Sequence, residues 1–117
     1  GAESETGKIP EYSKADNPIE ANIGTDFIIT LESNRTTGYE WQLAKPLDKT
    51  IVDFVSSEYI KGSSDLIGSG GREMWRFKTV GLGKSTISFQ YIRPLEKDTP
   101  PAANKDFIVI VKKDTGK

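Results

Sequence analysis

The chain has 117 residues, with 16 Lys and Arg residues, 17 Asp and Glu residues and a formal net charge of −1. This length is typical of one domain, and the balanced charge argues against non-specific nucleic-acid binding, which needs a concentrated basic face. The sequence contains no cysteine and no histidine. Disulfides, thiolate metal sites and Ser-His-Asp or Cys-His catalysis are therefore excluded, which favours a binding protein over an enzyme.

The first 17 residues are polar and charged and show no periodicity, which predicts a flexible N-terminal tail. Beyond them, apolar residues recur with period two, the period of a β-strand. Residues 51–55 also fit a helical turn, but their β-rich surroundings favour a strand. The predicted strands, in chain order, cover residues 25–31, 39–44, 51–60, 75–79, 86–91 and 107–111.

The number and spacing of these strands predict the fold class. About seven short strands separated by Gly, Pro, Asn and Ser clusters indicate an all-β fold, an immunoglobulin-like antiparallel β-sandwich. We expect this single domain to span residues 18–113, with a C-terminal tail at 114–117. The longest apolar run, residues 107–111, is too short to cross a membrane, so we expect no membrane partner.

Three polar segments between the predicted strands are candidates for a binding surface. We call them loop 1 (residues 34–38), loop 2 (residues 61–71) and loop 3 (residues 93–104). They follow alternate strands, and in a sandwich of this order such connections emerge at the same end of the domain. The sequence therefore predicts one composite surface built from three loops.

Two glycine-rich segments and one sequon resemble known motifs only in part. Residues 81–86, GLGKST, lack the glycine that a phosphate-binding loop has at position 78, and they lead into a strand rather than a helix. Residues 68–71, GSGG, have Glu73 where the dinucleotide fingerprint requires a third glycine. The sequon at residues 34–36 is interpreted as coincidental. None of the three indicates a phosphate, nucleotide or glycan site.

The three loops carry, in order, the motifs NRTTGY at residues 34–39, GSGG at 68–71 and RPL at 93–95. Together they resemble the chagasin family of cysteine-protease inhibitors, whose signatures are NPTTGY, GxGG and RPW or RPF on an immunoglobulin-like sandwich. The resemblance spans about residues 18 to 113. The chain departs from the family motifs at Arg35, where the family has proline, and at Leu95, where it has an aromatic residue.

The resemblance implies reversible, competitive inhibition of papain-like cysteine peptidases, with a peptidase as protein partner, no cofactor and no catalysis. Residues 36–38 would lie over the catalytic cysteine, and loops 2 and 3 would brace the cleft on either side. Tyr39 and Trp41 would root loop 1 in the core. The implied peptidase-binding residues are Asn34, Arg35, Thr36, Thr37, Gly38, Tyr39, Gly68, Ser69, Gly70, Gly71, Arg93, Pro94 and Leu95.

Other functions remain open at this point. The architecture alone also fits a non-inhibitory immunoglobulin-like adhesion or carbohydrate-binding module, since a fold does not settle a function. A carboxylate-based hydrolase would need an acidic pair, and the sequence shows no convincing one. We expect a monomer. The residues do not determine the compartment, and an exported location with any leader already removed is slightly favoured over the cytosol.

Overall fold

The computed structural model describes residues 8–62 and 70–114, and within them the chain forms eight strands and one short 3-10 helix. The 3-10 helix, Arg35–Thr37, lies between the third and fourth strands. No helix in the described ranges is long and apolar enough to cross a membrane. The strands are β1 (Glu11–Tyr12), β2 (Ile19–Asn22), β3 (Asp26–Ser33), β4 (Glu40–Leu43), β5 (Val52–Ile60), β6 (Gly71–Thr79), β7 (Gly83–Ile92) and β8 (Ala103–Lys112).

The strands form two four-stranded sheets, in the orders β1-β3-β6-β5 and β2-β8-β7-β4. The predicted all-β sandwich is confirmed. It differs from a purely antiparallel sandwich because β1 pairs with β3, and β2 with β8, in parallel. Period-two alternation reports which face a residue occupies and contains no information about strand direction, so the sequence did not indicate these pairings.

Part of the segment predicted to be a flexible tail belongs to the first sheet. Glu11 and Tyr12 pair with Ile28 and Ile29, and the Ile28 N–H donates a 2.9 Å hydrogen bond to the carbonyl of Pro10. The ring of Tyr12 meets Phe27 edge-on at 6.4 Å. The sheet therefore extends into this segment. A two-residue strand is too short to produce a periodic pattern, and residues 1–7 lie outside the described residues.

The ambiguous segment at residues 51–55 is the start of β5, as the strand interpretation predicted. A β-bulge shifts the pairing register with β6 between Phe54 and Ser56. One extra residue in the bulge interrupts the alternation of faces, which explains why the apolar pattern also fitted a helical turn. Phe54 remains 40% exposed and packs against Trp75 with 5.6 Å between the rings.

Aromatic side chains join the two sheets. Phe77 on β6 and Phe89 on β7 meet at 6.3 Å, and Trp75 meets Phe89 edge-on at 5.2 Å. These edge-to-face contacts contribute about 0.5–1.5 kcal/mol each beyond the apolar area that they bury. The buried apolar residues are Ile19, Phe27, Ile29, Leu31, Trp41, Val52, Phe77, Ile87, Phe89, Phe107, Val109 and Val111.

The strand register places three connections at one end of the sandwich. In the first sheet Ser33, at the end of β3, is opposite Gly71, at the start of β6, and Ile60 is opposite Arg72. In the second sheet the end of β7 is beside the starts of β4 and β8. Loops 1, 2 and 3 therefore leave and re-enter the sheets at this common end, as predicted from their positions after alternate strands. We call it the loop end.

Candidate functional site

Loop 1 folds as a single 3-10 turn, Arg35–Thr37, that its own side chains stabilise. Asn34 is the N-cap, and its side-chain oxygen accepts hydrogen bonds from the Thr36 N–H at 3.1 Å and the Thr36 hydroxyl at 2.6 Å. The Thr37 hydroxyl donates to the Asn34 carbonyl at 2.6 Å. The polar side chains of loop 1 thus hold the turn in place by hydrogen bonds within the loop. The side chains of Thr36 and Thr37 remain exposed at the tip.

Gly38 ends the turn in the left-handed region, with φ of 82°. Its N–H donates to the Arg35 carbonyl at 3.2 Å, which closes the turn. A residue with a side chain is disfavoured at this φ because its Cβ crowds the backbone. The glycine of the TTG sequence is therefore required by the backbone of the turn, quite apart from any partner.

Aromatic residues support the turn from below. Trp41 is buried, and its indole N–H donates to the Glu32 carbonyl at 2.8 Å. The rings of Tyr39 and Tyr91 stack with 5.1 Å between centroids. The Tyr91 hydroxyl accepts a 3.0 Å hydrogen bond from the Asn34 N–H. Both ends of loop 1 are thereby attached to the core, in agreement with the rooting role predicted for the aromatic pair.

Loop 3 contacts loop 1 through Arg93. The Arg93 Nε donates to the Thr37 carbonyl at 3.2 Å, and the guanidinium carbon lies 4.6 Å from the ring centroid of Tyr39. Arg93 also pairs with Glu96 at 3.5 Å. The arginine is thus a bridge between two loops as well as a partner for a neighbouring carboxylate. A cation over an aromatic face at this distance is favourable by about 0.5–1 kcal/mol at an exposed site.

The rest of the RPL motif forms the tip of loop 3. The Glu96 N–H donates to the Arg93 carbonyl at 3.0 Å, which closes a turn over Pro94 and Leu95. Pro94 is half-buried, whereas Leu95 is 98% exposed. The Leu95 side chain therefore projects from the tip of loop 3 into solvent.

Loop 2 reaches the same end, and its last two glycines are described. Gly71 pairs with Ser33, directly before loop 1. A Cβ at Gly71 would collide with the carbonyl oxygen of Ile60 and lie 2.8 Å from the Tyr59 hydroxyl. Gly71 is therefore needed because β5 and β6 approach each other so closely. Gly70 is exposed, while the predicted contact residues Gly68 and Ser69 lie outside the described residues.

Comparison with known proteins identifies the family. The sequence pattern of the "Chagasin family peptidase inhibitor I42" matches residues 20–111. The chain belongs to the chagasin family. It is a cysteine protease inhibitor and not an enzyme, as the three motifs implied.

Individual relatives share the fold at low sequence identity. Amoebiasin-2 of Entamoeba histolytica is 29% identical over 87 residues, which is 72% of this chain and 68% of that protein. A cysteine protease inhibitor from Entamoeba histolytica superposes with a TM-score of 0.70 at 19% identity, covering 89% of this chain and 96% of that one. PbICP-C, solved in complex with falcipain-2, gives 0.61 at 21% identity, covering 91% and 100%. At these identities the solved structures establish the fold.

Sequence reasoning missed one central residue of this chagasin-family site, Glu73. It is 3% exposed. Its carboxylate accepts hydrogen bonds from the Ser33 hydroxyl at 2.8 Å, the backbone N–H of Trp41 at 3.0 Å and the indole N–H of Trp75 at 3.2 Å. The sequence did indicate that Glu73 faces inward, because it continues the alternation of Trp75, Phe77 and Thr79 toward the N-terminus. A carboxylate on the inward face of a strand needs several donors, and the loop end supplies them.

The described residues of the predicted site come together in this inhibitor. Loop 1 contacts loop 3 through Arg93, and the base of loop 2 pairs with the strand that leads into loop 1. Asn34, Tyr39, Gly71 and Pro94 are half-buried. The exposed members, which a partner can reach, are Arg35, Thr36, Thr37, Gly38, Gly70 and Leu95.

Proposed function

We propose that the chain is a reversible, competitive inhibitor of papain-like cysteine peptidases and that it inserts the loop end into the active-site cleft. The observation that supports this mode is the exposed 3-10 turn of loop 1, which Arg93 of loop 3 contacts and which begins just after Ser33, the partner of Gly71 in loop 2. The structurally similar PbICP-C was solved in complex with falcipain-2. The proposed contact residues are the thirteen named from the motifs, of which Gly68 and Ser69 are proposed from sequence alone.

The shape of loop 1 accounts for inhibition without cleavage. A peptide bond that is cut must lie extended across the cleft, with its carbonyl directed at the thiolate. In loop 1 the Thr37 and Gly38 N–H groups are bound to the carbonyls of Asn34 and Arg35, so the backbone is closed into a turn. Thr36 and Thr37 have small side chains and Gly38 has none, which lets this turn enter a narrow groove over the catalytic cysteine. The bound turn therefore blocks the nucleophile without presenting a scissile bond.

Preorganisation contributes to the affinity of such a surface. Ordering a flexible side chain on binding costs about 0.5–1.5 kcal/mol. The hydroxyls of Thr36 and Thr37 are already hydrogen-bonded to Asn34 in the free protein, and Arg93 is already held between Thr37 and Tyr39. Much of this cost is therefore met on folding, so that a compact contact surface suffices for tight binding.

Steady-state kinetics with papain and cathepsin-type peptidases test the proposal. We expect the apparent KM to rise with inhibitor concentration, the maximal rate to stay constant and activity to return on dilution. The substitution Thr37→Trp should weaken inhibition because the bulky indole would block entry of loop 1 into the cleft. We expect the inhibition constant to rise about tenfold or more, which corresponds to a loss of about 1.4 kcal/mol of binding free energy. Leu82→Trp is the control, because Leu82 is 54% exposed in the β6–β7 turn at the opposite end. Absence of inhibition at micromolar protein across several papain-like peptidases would overturn the proposal.

A further inference from the structure

Glu73 occupies the position where loop 1 crosses between the two sheets. The chain leaves the first sheet at Ser33, the last residue of β3, and enters the second sheet at β4, where Trp41 is the second residue. One carboxylate oxygen of Glu73 accepts hydrogen bonds from both of these residues, at 2.8 Å and 3.0 Å. A single buried anion therefore fixes the two ends of loop 1 relative to each other.

Arg35 connects the turn itself to this anion. Its guanidinium lies 3.6 Å from the same carboxylate oxygen of Glu73 and 4.8 Å from the ring centroid of Tyr59. Tyr59 is near the end of β5, just before loop 2, and Glu73 is near the start of β6, just after it. Arg35 thus ties loop 1 to both strands that carry loop 2, while Arg93 ties loop 1 to loop 3 from the other side.

The burial of the two partners differs in a way that suits a positioning role. The Glu73 side chain is 3% exposed and accepts hydrogen bonds from three donors, whereas the Arg35 side chain is 44% exposed and meets Glu73 only as an ion pair at 3.6 Å. Loss of Arg35 leaves the buried carboxylate satisfied, so the domain should still fold. What is lost is the ion pair between the carboxylate and the exposed turn, together with the stacking of the guanidinium on Tyr59.

We propose that Arg35 is a positioning residue that acts through Glu73 and Tyr59, holding the 3-10 turn of loop 1 at the angle at which it meets the peptidase. The inference rests on the proposed function, since the angle matters only if loop 1 is the inserted element. It assigns Arg35 an effect on binding that arises within the inhibitor, in addition to any contact that its exposed side chain makes with the peptidase. The competing explanation is that Arg35 acts through that contact alone, and the experiment below separates the two.

A double-mutant cycle is the test. Arg35→Met removes the charge and keeps the length of the side chain. Glu73→Gln removes the charge and keeps the shape, and it also replaces one of the two acceptor oxygens with an NH2 group. If Arg35 acts through Glu73, each single variant should raise the inhibition constant at least about threefold and the double variant should add little more. If Arg35 acts only through contact with the peptidase and not through Glu73, the two effects should multiply, which would overturn the proposal.

The free inhibitor provides a second readout that needs no peptidase. We expect the amide chemical shifts of Thr36, Thr37 and Gly38 to change in the same direction in Arg35→Met and Glu73→Gln, and to change no further in the double variant. Independent, additive changes would overturn the proposal whether or not inhibition is observed. Should wild-type protein fail to inhibit any papain-like peptidase, the proposed function would fall, while these shifts would still decide whether Arg35 positions the turn through Glu73.

Two further variants complete the design. Arg76→Met is a matched control, because Arg76 forms a 2.6 Å ion pair with Asp26 in the same sheet and is 40% exposed. It should leave both the inhibition constant and the loop 1 shifts unchanged. Arg35→Lys retains a positive charge that can reach Glu73 but lacks the planar group that stacks on Tyr59, so partial rescue is expected. If Arg35→Lys inhibits no better than Arg35→Met, the positioning role is contradicted without any need for the Glu73 variant to fold.

Discussion

At the scale of single residues, Gly38 offers a sharp test because its backbone requires a positive φ. With φ of 82°, alanine at this position is strained by roughly 1 kcal/mol. Its Cβ would also lie 3.9 Å from the Arg93 Nε, at the contact between loops 1 and 3. We expect Gly38→Ala to lower the thermal midpoint slightly and to weaken inhibition, as measured by calorimetry and by inhibitor titration.

Gly24 supplies the matched control for that substitution. Its φ is 83°, and a Cβ there would meet nothing within 4 Å. Gly24 lies between β2 and β3, away from the loop end. Gly24→Ala should therefore lower the thermal midpoint to a similar extent and leave inhibition unchanged. Equal inhibition by the two alanine variants would show that the loop 1 turn has no special role.

Individual site residues differed in how far the sequence revealed them. The threonines, Gly38 and Arg93 were found because they stand in short motifs whose order and spacing could be compared with a family. Glu73 was noticed only as a missing glycine, although its place in the alternation of β6 assigns it to the inward face. The Tyr91 hydroxyl bonds to the Asn34 N–H across 57 positions in the chain, and such a contact depends on how two sheets pack. Local sequence patterns carry no information about that packing, so this contact could not be predicted.

At the scale of elements, the sequence predicted six of the eight strands in the described residues and missed the two parallel edge strands, β1 and β2. Strands β6, β7 and β8 have nine or ten residues, enough for clear alternation. Strands β1 and β2 have two and four residues, and they add parallel edges that no local pattern encodes. In β5 the bulge at residues 54–56 obscured the period. The regularity of the alternation therefore set how well a strand was predicted, since the four-residue β4 was found from the alternation of Tyr39, Trp41 and Leu43.

The parallel pairing of β2 with β8 leads to a prediction about pH. The Lys112 ammonium donates a 2.6 Å hydrogen bond to Glu20, and this bond, followed by the positive charge of Lys112, lowers the pKa of the Glu20 carboxyl. A carboxyl whose pKa is lower in the folded state stabilises the fold above its unfolded pKa, and the stabilisation is lost as pH falls through the folded pKa. Both side chains are exposed, so the effect at neutral pH should be small.

Carboxyl NMR titration of Lys112→Met checks this pairing. Without the ammonium group, the pKa of Glu20 should rise toward the ordinary value for a glutamate. The stability difference between wild type and variant should shrink as the pH is lowered through the acidic range. An unchanged titration midpoint for Glu20 would mean that the ion pair at the β2–β8 edge does not persist in solution.

At the scale of the whole molecule, the arrangement of the three loops follows from the order of the strands and from the contacts of two arginines. Because β3, β5 and β7 end where β4, β6 and β8 begin, the three loops emerge together, and the order of the strands sufficed to predict this. How the loops are held together was not predictable. It depends on Arg93 reaching Thr37 and on Arg35 reaching Glu73, contacts that span 56 and 38 positions in the chain.

The central claim is that loops 1, 2 and 3 form one surface that enters the peptidase cleft. Amide chemical-shift mapping of the isotopically labelled inhibitor during titration with papain tests it most directly. The account predicts that perturbations concentrate at residues 34–39, at Gly70 and Gly71 and at residues 93–95, while Gly24 and residues 81–83 at the opposite end remain unchanged. Perturbations centred on that opposite end or on the exposed strand β5, with loop 1 unaffected, would contradict the account.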